Sequence, residues 1–478
     1  MSQLSISLSL SFYGGVGTVT GSKYLVQTTK RKLLIDCGMF QGLKNLRDLN
    51  WRDLPFHPAD LDAVILTHAH IDHSGYLPRL VKTGYKGPIY CSFGTAELLQ
   101  ILLPDAGRLQ EEDADHRNLH GLTRHQPAKP LFTEQDAFAA LRQLLPVSGN
   151  DETIHLFGAS TVKFMNAGHI IGSRFVVLKL EESNMNPCTI LFSGDIGQYD
   201  RPILPNPVKP PSCDFLLVES TYGDRLHPAE SPKDALTRII TTAARHNGPI
   251  LIPAFAVDRT QELIYLIREL ENEKRIPILP VRVDSPMAAA ATVVYTRLKE
   301  EQDEAYRSIT ASGVEPLKTH NMLVASTRDE SRRLNDEEGA RIIISAAGMM
   351  TGGRVLHHAL RVLPDRKATL VFAGYQAEGT TGRQIRDGAK EVTIYKERCP
   401  VRCHIDVIEG LSSHADWQDT LRWLSGMETP PKTTFVTHGE PESAFAMKTH
   451  LEQEFNWNAV IPAYGETYSL DGAVATRD

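Results

Sequence analysis

One stretch constrains this chain more than any other: Leu61 to Leu80, which reads LDAVILTHAHIDHSGYLPRL. Ala63, Val64, Ile65 and Leu66 form a continuous apolar run with the length and β-branched character of a strand buried on both faces. Directly after it come His68, His70, Asp72 and His73, with small or polar neighbours and Gly75 where the backbone turns. Histidines at alternate positions of an extended segment point the same way and can share one metal ion. Asp72 and His73, one step further round the turn, are placed to face a second ion close by. Four ligand-type side chains at the mouth of a buried strand are costly to leave unpaired. The stretch therefore reads as part of a metal site rather than as a loop that happens to be rich in histidine.

A chain of 478 residues exceeds one ordinary core, so two domains are expected. With 41% hydrophobic and 23% charged residues, it has the composition of a globular protein. No apolar run approaches membrane-spanning length, and the N-terminus lacks the basic-then-hydrophobic order of a secretory leader. A cytoplasmic location without membrane contact is expected. The six cysteines are scattered singly except for Cys399 and Cys403, whose spacing fits no zinc ribbon. Reduced structural thiols are the default. A net charge of -7 is not the footprint of a generic nucleic-acid binder, so a polyanionic substrate must be held by a local basic patch or by metal.

From the start of the chain, Leu4, Ile6, Leu8, Leu10 and Phe12 alternate with polar residues as in a strand with one buried face. Gly14, Gly15, Gly17 and Gly21 invite a dinucleotide-loop reading, but the strand Tyr24 to Thr28 follows and no helix N-terminus is present to receive a pyrophosphate. Leu33 to Ile35 is a third strand, and Asp36 at its exit is placed to orient a ligand histidine by hydrogen bonding. Past the histidine cluster the pattern predicts a strand at Pro88 to Cys91 and a helix from Thr95 to Arg108. The acidic segment from Gln110 to Pro130 carries His116, His120 and His125 at spacings that fit no compact site, and reads as a solvated loop. Thr133 caps a further helix expected to run through Leu145.

Two strands between Thr161 and Leu180 flank His169, and the strand Thr189 to Phe192 ends in Ser193-Gly194-Asp195. Phe435-Val436-Thr437-His438-Gly439 repeats the arrangement near the C-terminus. Separate strands thus each deliver a ligand-type residue beside a glycine. Five histidines and two aspartates from dispersed loops can close a two-metal site in which a carboxylate bridges both ions.

The order His68-x-His70-x-Asp72-His73, His169, Asp195, His438 resembles the ligand order of the metallo-β-lactamase fold, an αββα sandwich with metals at one edge of its two sheets. Four further stretches narrow the likeness: Val218 to Asp224, Ile343 to Arg354, Gly374 to Gly382, and Ser412 to Asp416. They look like the β-CASP nucleases, the group that includes bacterial and archaeal ribonucleases and the endonuclease subunit of the cleavage and polyadenylation complex. The resemblance runs from about Phe12 to Pro462, and every metal position of its pattern is filled.

The region between Asp195 and His438 alternates buried strands (Leu251 to Phe255, Ile278 to Val283, Arg341 to Ser345, Ala368 to Phe372) with helices (Arg259 to Arg268, Met287 to Leu298). That order argues an inserted α/β domain, a parallel sheet flanked by helices. The expected division is a metallo-β-lactamase domain over 1–222, a β-CASP domain over 223–400 and the completing part of the first domain over 401–478. Two glycine-rich turns in the insert, each after a strand and before a helical pattern, suit a phosphate cradle with Arg354, Thr380, Thr381 and Arg383 as candidates. Arg328, Arg332 and Arg333 read equally as a backbone contact or as a solvated face paired with Asp329 and Glu330. His357, His358 and His404 read as plain helix or strand histidines.

The resemblance implies two Zn2+ per chain. His68, His70 and His169 would hold the first, Asp72, His73 and His438 the second, with Asp195 between them. It implies a ribonuclease that hydrolyses phosphodiester bonds by attack of a hydroxide shared by the ions, as an endonuclease with 5′-to-3′ exonuclease action as a further mode, leaving 5′-phosphate and 3′-hydroxyl ends. His414 would protonate the leaving oxygen, with Glu219 keeping that imidazole charged and aimed. RNA is the expected partner, DNA less so, and a homodimer is left open. The competing readings are a thioester or lactam hydrolase of the same fold, and a non-catalytic RNA-binding partner.

Overall fold

The computed structural model describes residues 8–122, 127–147, 149, 152–182, 186–374, 376–377 and 379–477. Leu4 and Ile6 of the first expected strand, His125, Tyr375 and Glu378 lie outside them. The chain divides into two compact units, one made of Met1–Tyr199, Asn206–Leu226 and His414–Asp478, the other of Asp200–Pro205 and His227–Ser413.

The first unit is a sandwich of two sheets. Eight strands form one, in the order Thr476–Arg477, Thr467–Ser469, Leu8–Phe12, Tyr24–Thr28, Lys32–Ile35, Ala63–Ile65, Ile89–Ser92, Leu144–Val147. Seven form the other: Ala459–Val460, Thr433–Thr437, Phe215–Glu219, Cys188–Phe192, Arg174–Leu180, Ser160–Asn166, Thr153–Phe157. Strand periodicity explains the layering. Ile190, Phe192, Phe215 and Leu217 point into the core shared with Leu10, Val26 and Ile65. Their neighbours Leu191, Leu216 and Val218 point the other way, against Trp423, Leu424, Met447 and Leu451 of the helices Trp417–Leu424 and Pro441–Phe455. Helices Phe93–His120 and Glu134–Leu141 pack beside the first sheet, whose strands Ile89–Ser92 and Leu144–Val147 they flank in the chain. The layer order is αββα.

Two helix boundaries differ from expectation. The acidic segment expected as a loop from Gln110 is instead helical as far as His120, the C-terminal part of a single helix, Phe93–His120, of 28 residues. Arg108–Glu112 at 2.7 Å and Arg117–Asp113 at 2.9 Å are the i,i+4 pairs that favour such an extension. Buried Leu98, Leu99, Leu102 and Leu103 hold the helix together across Pro104. His116 and His120 lie one turn apart on it, 4.4 Å between centroids with ring planes tilted by 60°, and stand exposed. After Thr133, which forms a capping box with Asp136, the helix stops at Leu141, and Leu144–Val147 is an edge strand parallel to Ile89–Ser92.

The second unit holds a six-stranded sheet, all parallel, in the order Met322–Val324, Val281–Asp284, Arg341–Ser345, Pro249–Pro253, Thr369–Phe372, His404–Val407. The chain stays in this unit to Ser413, past the expected turning point at Pro400, because His404–Val407 adds to the sheet beside Thr369–Phe372.

A buried lysine braces the loops below the histidine cluster. Lys23 is 2% exposed, donates to the carbonyls of Gly21 and Gly38, and sits 4.7 Å over the rings of both Phe40 and Tyr76. Burial lowers its pKa from 10.5 to about 8, against the opposing pull of Cys37. Below pH 8 the folded chain carries a desolvated charge that the unfolded chain leaves in water. That cost disappears as pH rises toward 10.5. Relative to Lys23→Met, the wild-type protein is therefore expected to gain about 3 kcal/mol of stability between pH 8 and pH 10.5. Denaturant midpoints of both proteins at pH 7, 9 and 10 check this; a difference that stays flat with pH refutes it.

Candidate metal centre

Parallel pairing brings the strand ends together. Phe215–Glu219 lies between Cys188–Phe192 and Thr433–Thr437, with Glu219 in register with Thr437, so Asp195, Glu219 and His438 leave the second sheet at one edge. From the first sheet, the parallel strands Lys32–Ile35 and Ala63–Ile65 deliver Asp36 and the segment His68 to His73. That segment is held by backbone bonds from Ser22 to Asp72, Cys37 to His73 and Met39 to Ile71. Gly38 permits this closeness, since a Cβ there would lie 1.6 Å from the Asp72 carbonyl oxygen. Asp36 and His438 both take left-handed backbone conformations, φ +57° and +49°, rare for residues with side chains and found preferentially at functional sites.

Asp195 is 1% exposed, and among the described residues neither carboxylate oxygen accepts a hydrogen bond. Its Oδ2 lies 3.3 Å from His68 Nε2 and 3.5 Å from His169 Nε2, and its Oδ1 lies 3.2 Å from His73 Nε2. His70 Nδ1 is 3.0 Å from His68 Nε2 and 3.2 Å from His169 Nε2. On the other side His438 Nε2 is 3.0 Å from His73 Nε2 and 3.5 Å from Asp72 Oδ2. His68, His70, His169 and Asp195 form one group able to hold an ion, and Asp72, His73 and His438 a second. Ligands about 2.0–2.1 Å from a tetrahedral zinc stand about 3.3 Å apart, the spacing found here. An ionised, buried carboxylate without a hydrogen-bond donor, ringed by imidazole nitrogens, fits a cation on each side. A third grouping, Asp195, Glu219 and His438, is less suited. Glu219 Oε1 already accepts the Ile196 N–H at 2.6 Å, and both its oxygens face His414.

The protonation states of three imidazoles suit ligands; His73 differs, because burial disfavours its charge but Asp195 and Asp36 outweigh that and hold its pKa well above the usual histidine range. Burial and neighbouring imidazoles keep His68 and His169 below the usual histidine range and bring His70 to about 3, leaving neutral rings with lone pairs to offer. Burial works against charge on Asp195 and Asp72, yet the surrounding histidines outweigh it and hold both carboxyls ionised.

Partners behind the cluster fix the ring orientations. Asp36 Oδ2 is 2.8 Å from His73 Nδ1, which turns Nε2 to the centre, while its Oδ1 accepts the Thr67 N–H at 2.8 Å. Thr67 Oγ1 lies 3.0 Å from His68 Nδ1 and Thr221 Oγ1 3.1 Å from His438 Nδ1, while Ser173 Oγ accepts the backbone N–H of His169 at 3.0 Å and so holds its main chain rather than its ring. Sequence reasoning overlooked these three hydroxyls. A hydroxyl immediately before His68 and another four residues after His169 were the available signals.

His414 stands just outside the ligand groups. Its Nδ1 is 3.0 Å from Glu219 Oε2 and 3.9 Å from Asp195 Oδ2, and its side chain is 19% exposed. Burial disfavours its charge, but Glu219 and Asp195 outweigh that and raise its pKa to about 9.

The residues suggested for a phosphate cradle all lie in the second unit. Arg354 donates to Asp284 Oδ1 at 2.8 Å and to the carbonyls of Ala325 and Ser326 at 2.9 and 3.0 Å. Thr380 caps the helix Thr381–Arg386, and Arg383 reaches Asp387 at 2.8 Å. Arg328, Arg332 and Arg333 lie on a short exposed helix capped by Thr327, with Arg332 3.5 Å from Asp329. His358 is buried against Asp284 at 2.6 Å.

An αββα sandwich with histidines and aspartates gathered at its strand ends defines a metal-dependent hydrolase of the metallo-β-lactamase fold. Residues 16–150 match the metallo-beta-lactamase superfamily, 260–385 the Beta-Casp domain, and 398–462 the Zn-dependent metallo-hydrolase RNA specificity domain. The chain belongs to the β-CASP family of these hydrolases. It is 36% identical over 436 residues to Ribonuclease TTHA0252 of Thermus thermophilus, covering 91% of this chain and 94% of that relative. It is 30% identical over 474 residues to the transcription termination factor FttA of Methanothermobacter thermautotrophicus, covering 96% and 71%. A crystal structure of a protein of unknown function from Enterococcus faecalis V583 shares the fold, with a TM-score of 0.53 at 14% identity and coverage of 96% and 99%. Among the described residues no helix is long and apolar enough to cross a membrane.

Proposed function

We propose that this protein is a zinc-dependent ribonuclease, acting as an endonuclease with 5′-to-3′ exonuclease action as a further mode, and leaving 5′-phosphate and 3′-hydroxyl ends. The observation that carries the reading is the His414–Glu219 pair beside Asp195. Ligand groups alone serve many hydrolases of this fold, but a separate, charged imidazole next to them suits a leaving group that needs a proton, as the 3′-oxygen of RNA does. The ribonuclease relative and the match to an RNA specificity domain support RNA as the substrate.

His68, His70 and His169 would hold one ion, and Asp72, His73 and His438 the other, with Asp195 bridging. Bound there, two zinc ions supply Lewis acidity toward a phosphoryl oxygen and a water acidified to a pKa of about 7. Asp36 and Thr67 keep His73 and His68 aimed while this happens. His414 gives its proton to the leaving O3′, and Glu219 stabilises the charge that imidazole carries beforehand. Thr380, Thr381 and Arg383 are proposed phosphate contacts, with Arg354 bracing the end of the glycine turn that precedes its helix. Six free, buried cysteines support a reducing compartment, the cytoplasm.

Protein purified without chelator is expected to contain about two zinc ions per chain by elemental analysis, since the ligands are nitrogen and carboxylate without thiolate. Finding no transition metal would sink the mechanism. Incubation with 5′-labelled and internally labelled RNA, DNA and a thioester tests the activity. Cleavage of RNA is expected; turnover of the thioester alone would favour a small-substrate hydrolase.

A further inference from the structure

We propose that a hairpin in the second unit carries a base-stacking platform for single-stranded RNA, formed by Tyr395 and His357 beside the glycine turn at 348–354. The proposal rests on the ribonuclease reading. Strands Glu391–Ile394 and Glu397–Pro400 pair antiparallel and are joined by Tyr395 and Lys396 alone. Both residues take left-handed backbone conformations, φ +50° and +69°. This is the shape of a two-residue type I′ turn, which Asn-Gly fills most easily. A tyrosine and a lysine are costly there, and cost retained at a tip calls for a reason outside the turn.

Packing within the hairpin is not that reason, because Tyr395 is 51% exposed. Its ring leans over His357, 4.9 Å between centroids and 32° between planes. Its hydroxyl lies 3.2 Å from His357 Nε2 and donates to the Gly353 carbonyl at 3.4 Å. His357 itself is exposed on the first turns of the helix Arg354–Val362. A ring pinned by its edge yet open to solvent keeps a face available for another flat ring. Charge agrees with that occupant. Residues 390–402 contain four cations and two anions in a chain whose net charge is -7. Arg398 pairs with Glu391, whereas Lys390, Lys396 and Arg402 make no ion pair among the described residues. Aromatic faces for bases, with cations for the backbone, are how single strands are held, while a duplex keeps its base faces hidden.

The test is fluorescence anisotropy with a labelled single-stranded 15-mer RNA and a labelled duplex RNA, both in chelator so that nothing is cleaved. Tyr395→Ala is expected to weaken single-strand binding about 10- to 100-fold and Tyr395→Phe to bind nearly as wild type, with duplex binding equal in all three. Hydrolysis of a nitrophenyl phosphodiester should be unchanged in Tyr395→Ala, since that substrate is too small to need the platform. Wild-type affinity for the single strand in Tyr395→Ala overturns the proposal, as does loss in Tyr395→Phe equal to that in Tyr395→Ala. A wild-type protein that neither binds nor cleaves RNA would instead overturn the ribonuclease reading itself.

Discussion

Asp195→Ala is expected to abolish RNA hydrolysis, lowering the rate at least about a thousandfold, while the protein still folds. The carboxylate lies between two groups of ligand atoms, with a different oxygen toward each. Removing it takes away the one side chain common to both proposed ions, and with it the several kcal/mol that a two-metal clamp gives the transition state. The core does not depend on it: Ile190, Phe192 and Leu217 on one face and Leu191 and Leu216 on the other remain packed. Circular dichroism should match wild type, and elemental analysis should show metal lost. Cleavage persisting at the wild-type rate in a folded Asp195→Ala protein would mean that the bridge is misassigned.

His414→Ala is expected to keep both metals and lose about two to four orders of magnitude in rate, the usual worth of a positioned general acid. The loss should be much smaller for a nitrophenyl phosphodiester, whose leaving group departs without a proton. Glu219→Gln should show a weaker form of the same pattern. It leaves the imidazole in place at 3.0 Å but removes the charge that does most to raise the His414 pKa against burial. Loss of a metal in His414→Ala would make this residue a ligand. Equal loss on both substrates with metals intact would point to positioning rather than proton transfer.

Much of this was legible in the chain because the signals are local. The run Ala63 to Leu66 is a strand exit whatever surrounds it, and the spacing of His68, His70, Asp72 and His73 follows from the two-residue period of an extended backbone and the turn after it. The same holds for Asp195 and His438, each a ligand-type residue just past an apolar strand, and for the alternating strands and helices that became the parallel sheet of the second unit. The C-terminal part of the helix Phe93–His120, beyond the expected end at Arg108, was missed for the opposite reason. Its last turns are polar, and what extends them is charge pairing along the helix and a buried first half, not a hydrophobic stripe.

By itself, the sequence determined the kinds of side chain available and the strand ends that present them, since both depend on neighbours a few residues away. Only the tertiary structure decided which atoms share a centre. Two sheets from distant parts of the chain had to meet before His73 could lie 3.0 Å from His438, before Asp36 could turn His73, and before His414 could reach Glu219 across 195 residues. Such contacts are set by sheet pairing and packing of the sandwich, whose energy is spread over dozens of buried residues. The tip of the hairpin at Tyr395 belongs to the same category. Nothing in its local spelling places it over His357; the fold of the second unit does.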